Sequence, residues 1–476
     1  MKKALLIFCA LLLTLSGTGC SGTAAETDTE TAPAATENVQ EETVPETDWY
    51  GNIPAETNFN GYEFTTIKYD FDGQWDIYLA PEELTGEVLN DAAFQRNAEV
   101  EELLNISVCQ KIDGDYENTF RKTVLAGEGE TFDLLCFWSP GNRSHFITEG
   151  LVYDWLALEN TDLTAPWYNQ TANTAYNIAG KQYFAVSDYT FPVHQHTRIL
   201  FNKELMTDLS LEYPYEAVHN GDWTFDMMME YTKNVYADLN GNGEADDADR
   251  YGMGLNSVFA GAFITNSGEL PVASGSDGFQ INLYSDRIVS IVEELQKFRS
   301  NQDFYVPSGN EFYTLFTEGR ILFETFGSNP SMLRDIEFDF GYLPYPKFDE
   351  TQKEYIVWSA GGMMALPSTL TDPARTGAII EALSAGSHRY VKDAFISNYV
   401  ENKILRDEDS QIIYRMMRDK ATYDISYNID PSGKISNFAY YAVFFNDTTA
   451  SPASHWGSAG ESITTAYDKL FNEIVG

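Results

Sequence analysis

The stretch NDAAFQRNAEVEELLNISVCQKIDGDYENTFRKTVLAGEGETFDLLCFW, residues 90–138, decides the fold class. Apolar residues in its first third recur mostly at helical spacing, and a short strand-like run follows them. Helical and strand-like segments alternate here, with one more strand just upstream: Tyr62–Tyr69, Asn90–Asn105, Ile106–Ile112, Tyr116–Ala126 and Phe132–Trp138. This order predicts an α/β fold with a mainly parallel sheet flanked by helices.

The first twenty residues are typical of a bacterial export signal. Lys2 and Lys3 precede an apolar run, Ala4–Leu15, that is too short to span a bilayer. Small residues then lead to Cys20, which resembles the lipobox cysteine that is acylated, although Gly17 stands where Leu is usual. We expect residues 1–20 to be a lipoprotein signal peptide, with Cys20 as the lipidation site. The alternative is ordinary signal cleavage nearby.

Residues 21–57 form a predicted linker. Its first part consists of Thr, Ala, Glu and Pro, with acidic charges only, so it cannot bury enough surface to fold and is extended by its own charge. We expect a disordered tether that holds the following body away from a membrane. From residue 58 onward the chain is longer than one hydrophobic core usually supports, which predicts two lobes.

Charge and cysteine content restrict the possible partners. The formal net charge of −42 argues against binding to nucleic acid, because phosphates attract basic surfaces. Apart from Cys9 and Cys20, the chain has Cys109 and Cys136, each in a strand-like run. We expect two buried free thiols, although a disulfide is possible outside the cell. We expect a monomer.

The order of these and later segments resembles the family 1 extracellular solute-binding proteins, which include maltose-binding protein. The matching segments are NDAAFQRNAEVEELLNISV (90–108), FDLLCFWSPG (132–141), KQYFAVSDYTF (181–191) with ILFNKEL (199–205), FTEGRILFETFG (316–327), and GYLPYPK (341–347) with SAGGMMALPST (359–369). The resemblance implies two α/β lobes that close about a hinge on a solute and deliver it to the permeases of an ABC importer. It also implies lobe 1 at 58–190 and 323–385, and lobe 2 at 191–322 and 386–476.

The resemblance places solute contacts at strand ends and at the crossings between lobes. Flat aromatic rings cover the faces of a sugar, while polar side chains bond its rim. Each candidate also has a structural reading, either as a core aromatic or as part of a hinge turn. The candidate solute contacts are Trp138, Asn142, Asp188, Tyr189, Glu324, Phe326, Trp358 and Trp456.

The loop DLNGNGEADDAD, residues 238–249, follows the twelve-residue calcium-loop template, with Gly243 at the sharp turn. The expected ligands are Asp238, Asn240, Asn242, Glu244 through its carbonyl, Asp246 and Asp249. Calcium here would stabilise a surface loop rather than touch the solute. The alternative is a polar turn that binds no ion.

Several functions remain open at the level of sequence. The preferred one is a lipid-anchored, extracellular, non-enzymatic binding protein for a sugar or oligosaccharide. The alternatives are a binding protein for peptides or organic acids, a surface enzyme that degrades glycans, and an adhesin. The sequence contains no G-x-S-x-G, H-E-x-x-H or phosphate-loop motif, which favours binding over catalysis.

Overall fold

A computed structural model describes residues 48–476 except 55, 70–78, 130, 140, 194, 308, 310, 326–332, 334–335 and 437–438. The predicted signal peptide with Cys20, most of the predicted linker, and Phe326 lie outside the described residues. Residues 48–476 form one compact unit. None of the helices in the described part is both long and apolar enough to cross a bilayer.

Strands and helices alternate along the chain. The strands are β1 (Tyr62–Lys68), β2 (Ile106–Ile112), β3 (Leu134–Ser139), β4 (Asn177–Ile178), β5 (Lys181–Gln182), β6 (Gln195–His196), β7 (Ile199–Asn202), β8 (Tyr251–Gly254), β9 (Val272–Gly275), β10 (Gly278–Ile281), β11 (Phe304–Tyr305), β12 (Ile321–Glu324), β13 (Phe340–Leu343), β14 (Val357–Ala365) and β15 (Ala421–Thr422). The helices are α1 (Val88–Leu104), α2 (Tyr116–Leu125), α3 (Ser144–Thr148), α4 (Gln170–Tyr176), α5 (Lys203–Asp208), α6 (Tyr215–Asn220), α7 (Phe225–Thr232), α8 (Ser257–Asn266), α9 (Asp286–Ser300), α10 (Glu311–Thr317), α11 (Pro373–Gly386), α12 (Glu408–Asp419), α13 (Ala439–Asn446) and α14 (Pro452–Val475). Wider π-helical turns, 387–392 and 394–404, continue α11.

The first sheet contains the segment from which the fold class was predicted. Strand β1 is parallel to β2 and to β3, with α1 and α2 as the crossovers. Helix α1 begins two residues earlier than predicted, because the Glu87 carboxylate accepts the N–H groups of Leu89 (2.8 Å) and Asn90 (3.0 Å). It ends at Asn105, which adopts a left-handed conformation (φ 50°).

The second sheet has the strand order β11-β8-β12-β7-β13. Strands β8, β11 and β12 are parallel, while β7 is antiparallel to both of its neighbours. Because β13 pairs with β7 while β14 pairs with β3, the chain passes from the second sheet to the first between Leu343 and Val357. This return was predicted at residue 323, with 323–385 as the second part of lobe 1. Strand β12 lies at the start of that range and β13 lies within it, but both belong to the second sheet. Buried strands of different sheets have similar sequences, so hydrophobicity does not assign them to a sheet.

Strand β14 links β3 of the first sheet to two short strands, β6 and β15. Its second half pairs with β3, from Gly361 opposite Ser139 onward, and its first half pairs with β6 and β15. All nine of its residues are buried. The partner changes at Gly361, whose φ of 142° is readily adopted only by glycine.

The two remaining cysteines are free thiols. Strand β1 lies between their strands β2 and β3, which keeps the two residues apart. Cys136 is buried, as predicted, and burial raises the pKa of its thiol to about 12. Cys109 is half-buried rather than buried.

Candidate functional site

The loop after β3 is attached to a distant segment of the chain, residues 424–430. The N–H of Gly141 donates to the Tyr427 carbonyl (2.9 Å), and the N–H of Arg143 donates to the Asn428 carbonyl (2.7 Å). The Asn142 side chain donates to the Asp430 carbonyl (2.7 Å) and accepts from the Asp430 N–H (3.2 Å). The predicted contact Asn142 is therefore a fixed part of the loop, and its carboxamide positions the loop against this segment.

Asn428 lies at the centre of this attachment and is fully buried. Its side-chain amide donates to the Ser139 hydroxyl (2.8 Å) and to the Tyr176 hydroxyl (2.6 Å). Sequence reasoning missed this residue because segment 424–430 has no helical or strand periodicity. The available signal was the close alternation of Asp and Asn with Ile and Tyr in DISYNID (424–430), since polar groups buried among such residues require partners.

Trp358 is part of the connection between the sheets. Its side chain is 5% exposed and contacts Tyr427 edge-to-face, with ring centroids 4.9 Å apart. The Tyr427 hydroxyl lies 3.0 Å from that of Thr265 in α8, and Asn266 accepts the backbone N–H of Trp358 (2.7 Å). In this arrangement Trp358 packs the segment 424–430 onto α8.

Trp138 and Tyr189 lie on one face of the first sheet. Trp138 is half-buried and pairs with Gly362 of β14, near the end of β3. Tyr189 is 1% exposed, and the Arg96 guanidinium lies 4.8 Å from its ring centroid. Of these two aromatics, Trp138 has the ring surface that a ligand could cover.

Asp188 is a buried carboxylate with two half-buried basic side chains as partners. Its carboxylate lies 2.5 Å from His388 Nδ1 and 3.1 Å from Lys392 Nζ, both on the π-helical extension of α11. With Lys392, His196 and Arg418 it lines a cavity of about 230 Å³ beside the crossing segments. Because the carboxylate is already bonded to His388 and Lys392, its role in this structure is to hold the turn 188–193 against the π-helical extension of α11.

The other two described candidates lie on separate elements. Glu324 is the last residue of β12 and is fully buried. Trp456 is half-buried on α14 and packs against Gly460, where a Cβ atom would lie 2.8 Å from the indole ring. The structure thus brings Trp138, Asn142 and Trp358 to one region around the end of β3, and it places Trp456 on the C-terminal helix.

Asp424, in the segment 424–430, is another buried carboxyl. Its Oδ1 accepts from the N–H (2.8 Å) and the hydroxyl (2.7 Å) of Ser426, and its Oδ2 has no hydrogen-bond partner among the described residues. Burial raises the pKa of Asp424 to about 7, against the smaller opposing effects of Ser426 and the Val272 backbone. The phenols of Tyr176, Tyr427 and others surround this carboxyl, with no charged partner among them.

The predicted calcium loop curls around the side chain of Asp238. The Asp238 carboxylate accepts the N–H groups of Gly241 (2.6 Å) and Gly243 (2.8 Å), which wraps the chain around it. The carboxamide of Asn242 lies 2.7 Å from the Asp246 carboxylate. Within the described residues, no three His, Cys, Asp or Glu side chains form a cluster suited to a metal. An ion here would therefore depend on carboxamide and backbone oxygens as well.

Comparison with known proteins establishes the fold. No family model and no curated protein matches the chain. The structure is similar to a cyclo/maltodextrin-binding protein complexed with maltotetraose (TM-score 0.58, 16% identity, 85% of this chain and 96% of that chain). It is also similar to the extracellular solute-binding protein from Staphylococcus aureus in complex with maltose (0.56, 15%, 87% and 96%) and to an ABC substrate-binding protein from Listeria monocytogenes in complex with cycloalternan (0.55, 15%, 87% and 99%).

These similarities cover most of the chain and nearly all of each neighbour. The chain therefore has the two-lobed α/β fold of the ABC solute-binding proteins, and the predicted fold class is confirmed. In such a fold, ligands bind outside the carboxyl ends of strands. The end of β3 with Trp138 is a position of this kind.

Proposed function

We propose that this protein is the substrate-binding component of an ABC importer and that its solute is a sugar or oligosaccharide. The observation that carries the proposal is Trp138, a half-buried indole at the carboxyl end of β3 in a fold shared with sugar-binding proteins. The adjoining loop is fixed by hydrogen bonds to Asn428 and Asp430, so the indole is held ready for stacking and little ordering is needed on binding.

The charge of this region favours a neutral ligand over an organic acid. Arg143, in the loop after β3, is paired with Glu117 at 2.6 Å and lies over the Phe137 ring at 4.4 Å. The other polar groups at the end of β3 are carboxamides, hydroxyls and carboxylates, which bond to sugar hydroxyls without requiring a charge on the ligand. A carboxylate ligand would have to compete with Glu117 for Arg143.

The N-terminal segments complete the proposal. Acylation of Cys20 would anchor the protein to the outer face of a bacterial membrane, and the acidic linker 21–57 would hold the body away from it. The role is binding followed by transfer to permease subunits, without catalysis. A bound sugar should therefore be recovered unchanged after prolonged incubation, and its hydrolysis would favour a glycan-degrading enzyme instead.

Replacing Trp138 with Ala is expected to weaken sugar binding by roughly 10- to 100-fold, because truncating a stacking Trp typically costs about 1–3 kcal/mol. A thermal-shift screen against mono- and oligosaccharides would identify the ligand, since a ligand that binds only the folded state raises Tm. Titration calorimetry would then compare the variants. Trp49→Ala is the matched control, because Trp49 is also half-buried but packs in a different apolar cluster. Equal losses in both variants, or no loss for Trp138→Ala, would contradict the proposed site.

We also propose that the loop 238–249 binds calcium as a structural ion. Adding calcium to chelator-treated protein is expected to raise Tm, because binding to the native loop stabilises it. Asp238→Asn removes a negative charge from the site and keeps only one of the two oxygens that accept the N–H groups of Gly241 and Gly243. Its Tm in chelator should therefore fall somewhat below that of the parent protein, and the further rise in Tm on adding calcium should be lost. The same rise in both proteins would show that any calcium effect arises elsewhere.

A further inference from the structure

A groove runs along α4, between this helix and the hairpin formed by β9 and β10. It consists of two cavities, of about 640 and 250 Å³, whose walls share Thr174 and Ser274. The Ser274 hydroxyl donates to the Ala175 carbonyl (2.9 Å), which joins the hairpin to the helix. Neither cavity is lined by Trp138 or Asn142, so the groove is separate from the region at the end of β3. Its volume is that of a typical small-molecule site.

The chemistry of the groove is polar and uncharged. Charged residues make up 21% of the chain, yet none lines either cavity among the described residues. Hydroxyls and carboxamides predominate in the larger cavity, with Leu156 and Leu163 as apolar contacts. A neutral ligand that carries many hydroxyls suits this lining, because it buries no ion and can bond to carboxamides along its length.

The carboxamides of the groove are held in place by the surrounding structure. The Gln182 amide donates to Asn173 Oδ1 (2.9 Å) and to the Phe184 carbonyl (3.1 Å). The Asn173 amide donates to the Leu163 carbonyl (2.8 Å). Each carboxamide offers about four hydrogen-bonding positions. The bonds described above use only some of the positions on Asn173 and Gln182. A ligand would meet fixed donors and acceptors, so binding would order few side chains.

We propose that the groove between α4 and the β9–β10 hairpin is a second binding site, for a short neutral oligosaccharide. The proposal shares its class of ligand with the proposed function but concerns a different site. Thr174 and Ser274 lie where the two cavities meet, so a ligand of two or three sugar units would pass between them and reach Tyr423 at one end.

Filling the groove tests the proposal. Thr174→Trp places an indole on an exposed position of α4, and Ser290→Trp is its control on α9, where the hydroxyl likewise bonds the carbonyl four residues earlier (2.9 and 3.0 Å). Equilibrium dialysis with labelled maltotriose, cellotriose and xylotriose counts the molecules bound by the full mature protein. We expect two bound molecules, with at least a tenfold weakening of one of them in Thr174→Trp and no change in Ser290→Trp.

Trp138→Ala separates this proposal from the proposed function. Loss of one sugar in Thr174→Trp and of the other in Trp138→Ala supports both sites. A single sugar that is lost only in Trp138→Ala overturns the groove and leaves the proposed function intact. A single sugar that is lost only in Thr174→Trp supports the groove and contradicts the site at β3. Binding of a neutral tripeptide such as Gly-Ser-Gly in place of the sugars overturns the assigned class of ligand.

Discussion

Replacing Asp424 with Asn is expected to remove a loss of stability that the parent protein shows between about pH 4 and pH 7. The folded pKa of about 7 lies above the ordinary carboxyl value, so the native state binds the extra proton in this range. The stabilisation is fully present below the unfolded pKa and is lost as pH rises through the folded one. Each pH unit corresponds to about 1.4 kcal/mol, so the two proteins should diverge by roughly 2–3 kcal/mol between pH 5 and pH 7. Urea unfolding at several pH values measures the difference.

Asp430 provides the contrast for this experiment, six residues further along the chain and equally buried. Its two carboxylate oxygens accept hydrogen bonds from groups of Ser432, Gly433, Ile435 and Ser436, at 2.5–3.1 Å. Asp430→Asn replaces one acceptor by a donor and should destabilise the protein at neutral pH. A parallel pH profile for Asp424→Asn and the parent protein would show that Asp424 is ionised in both the native and unfolded states.

Gly377→Ala is expected to destabilise the protein by about 3 kcal/mol or more. Gly377 lies within α11, where a Cβ atom would stand 1.9 Å from the carbonyl oxygen of Glu159 and 2.9 Å from the Thr161 hydroxyl. Backbone cannot move away as a flexible side chain can, so the segment around Glu159 must separate from the helix. Chemical denaturation of the variant measures the loss.

Gly457→Ala is the matched control for this substitution. Gly457 also lies within a helix, α14, but a Cβ atom there would have no neighbour within 4 Å. The change should stabilise the protein by about 0.5–1 kcal/mol, because alanine favours helix more than glycine does. Destabilisation of similar size in both variants would show that the close backbone approach does not govern the effect at Gly377.

Much of the fold was predictable from local sequence patterns. The alternation in residues 90–138 gave the strands and helices of the first sheet to within a few residues, since periodicity and caps act locally. Helix α7 shows the same local control, because the Thr224 hydroxyl directly before it accepts the N–H of Met227 (3.4 Å). The assignment of β13 to a sheet was not predictable, because strand pairing depends on contacts far apart in the chain.

The candidate site was predictable only in part, for the same reason. Trp138 could be located because it ends a recognisable strand. The segment with Asn428 could not, because its role comes from bonds to Ser139 and Tyr176, 289 and 252 residues away. Asp188 was predicted as a solute contact, and its partners His388 and Lys392 lie 200 and 204 residues further on. No local pattern indicates such pairs, and the predicted contacts await measurement.

The pairing of β14 with β3 has a consequence for the order in which the protein can fold. Ser139 and Gly361 are 222 residues apart, and the five strands of the second sheet are all encoded between them. As the chain leaves a ribosome or a secretion channel, β3 therefore has no partner on this edge until after the second sheet has emerged. An unpaired strand edge promotes aggregation, and long-range pairing is slow. The first sheet therefore starts to form early but is completed last. Until β14 has emerged, the newly made chain depends on protection from aggregation.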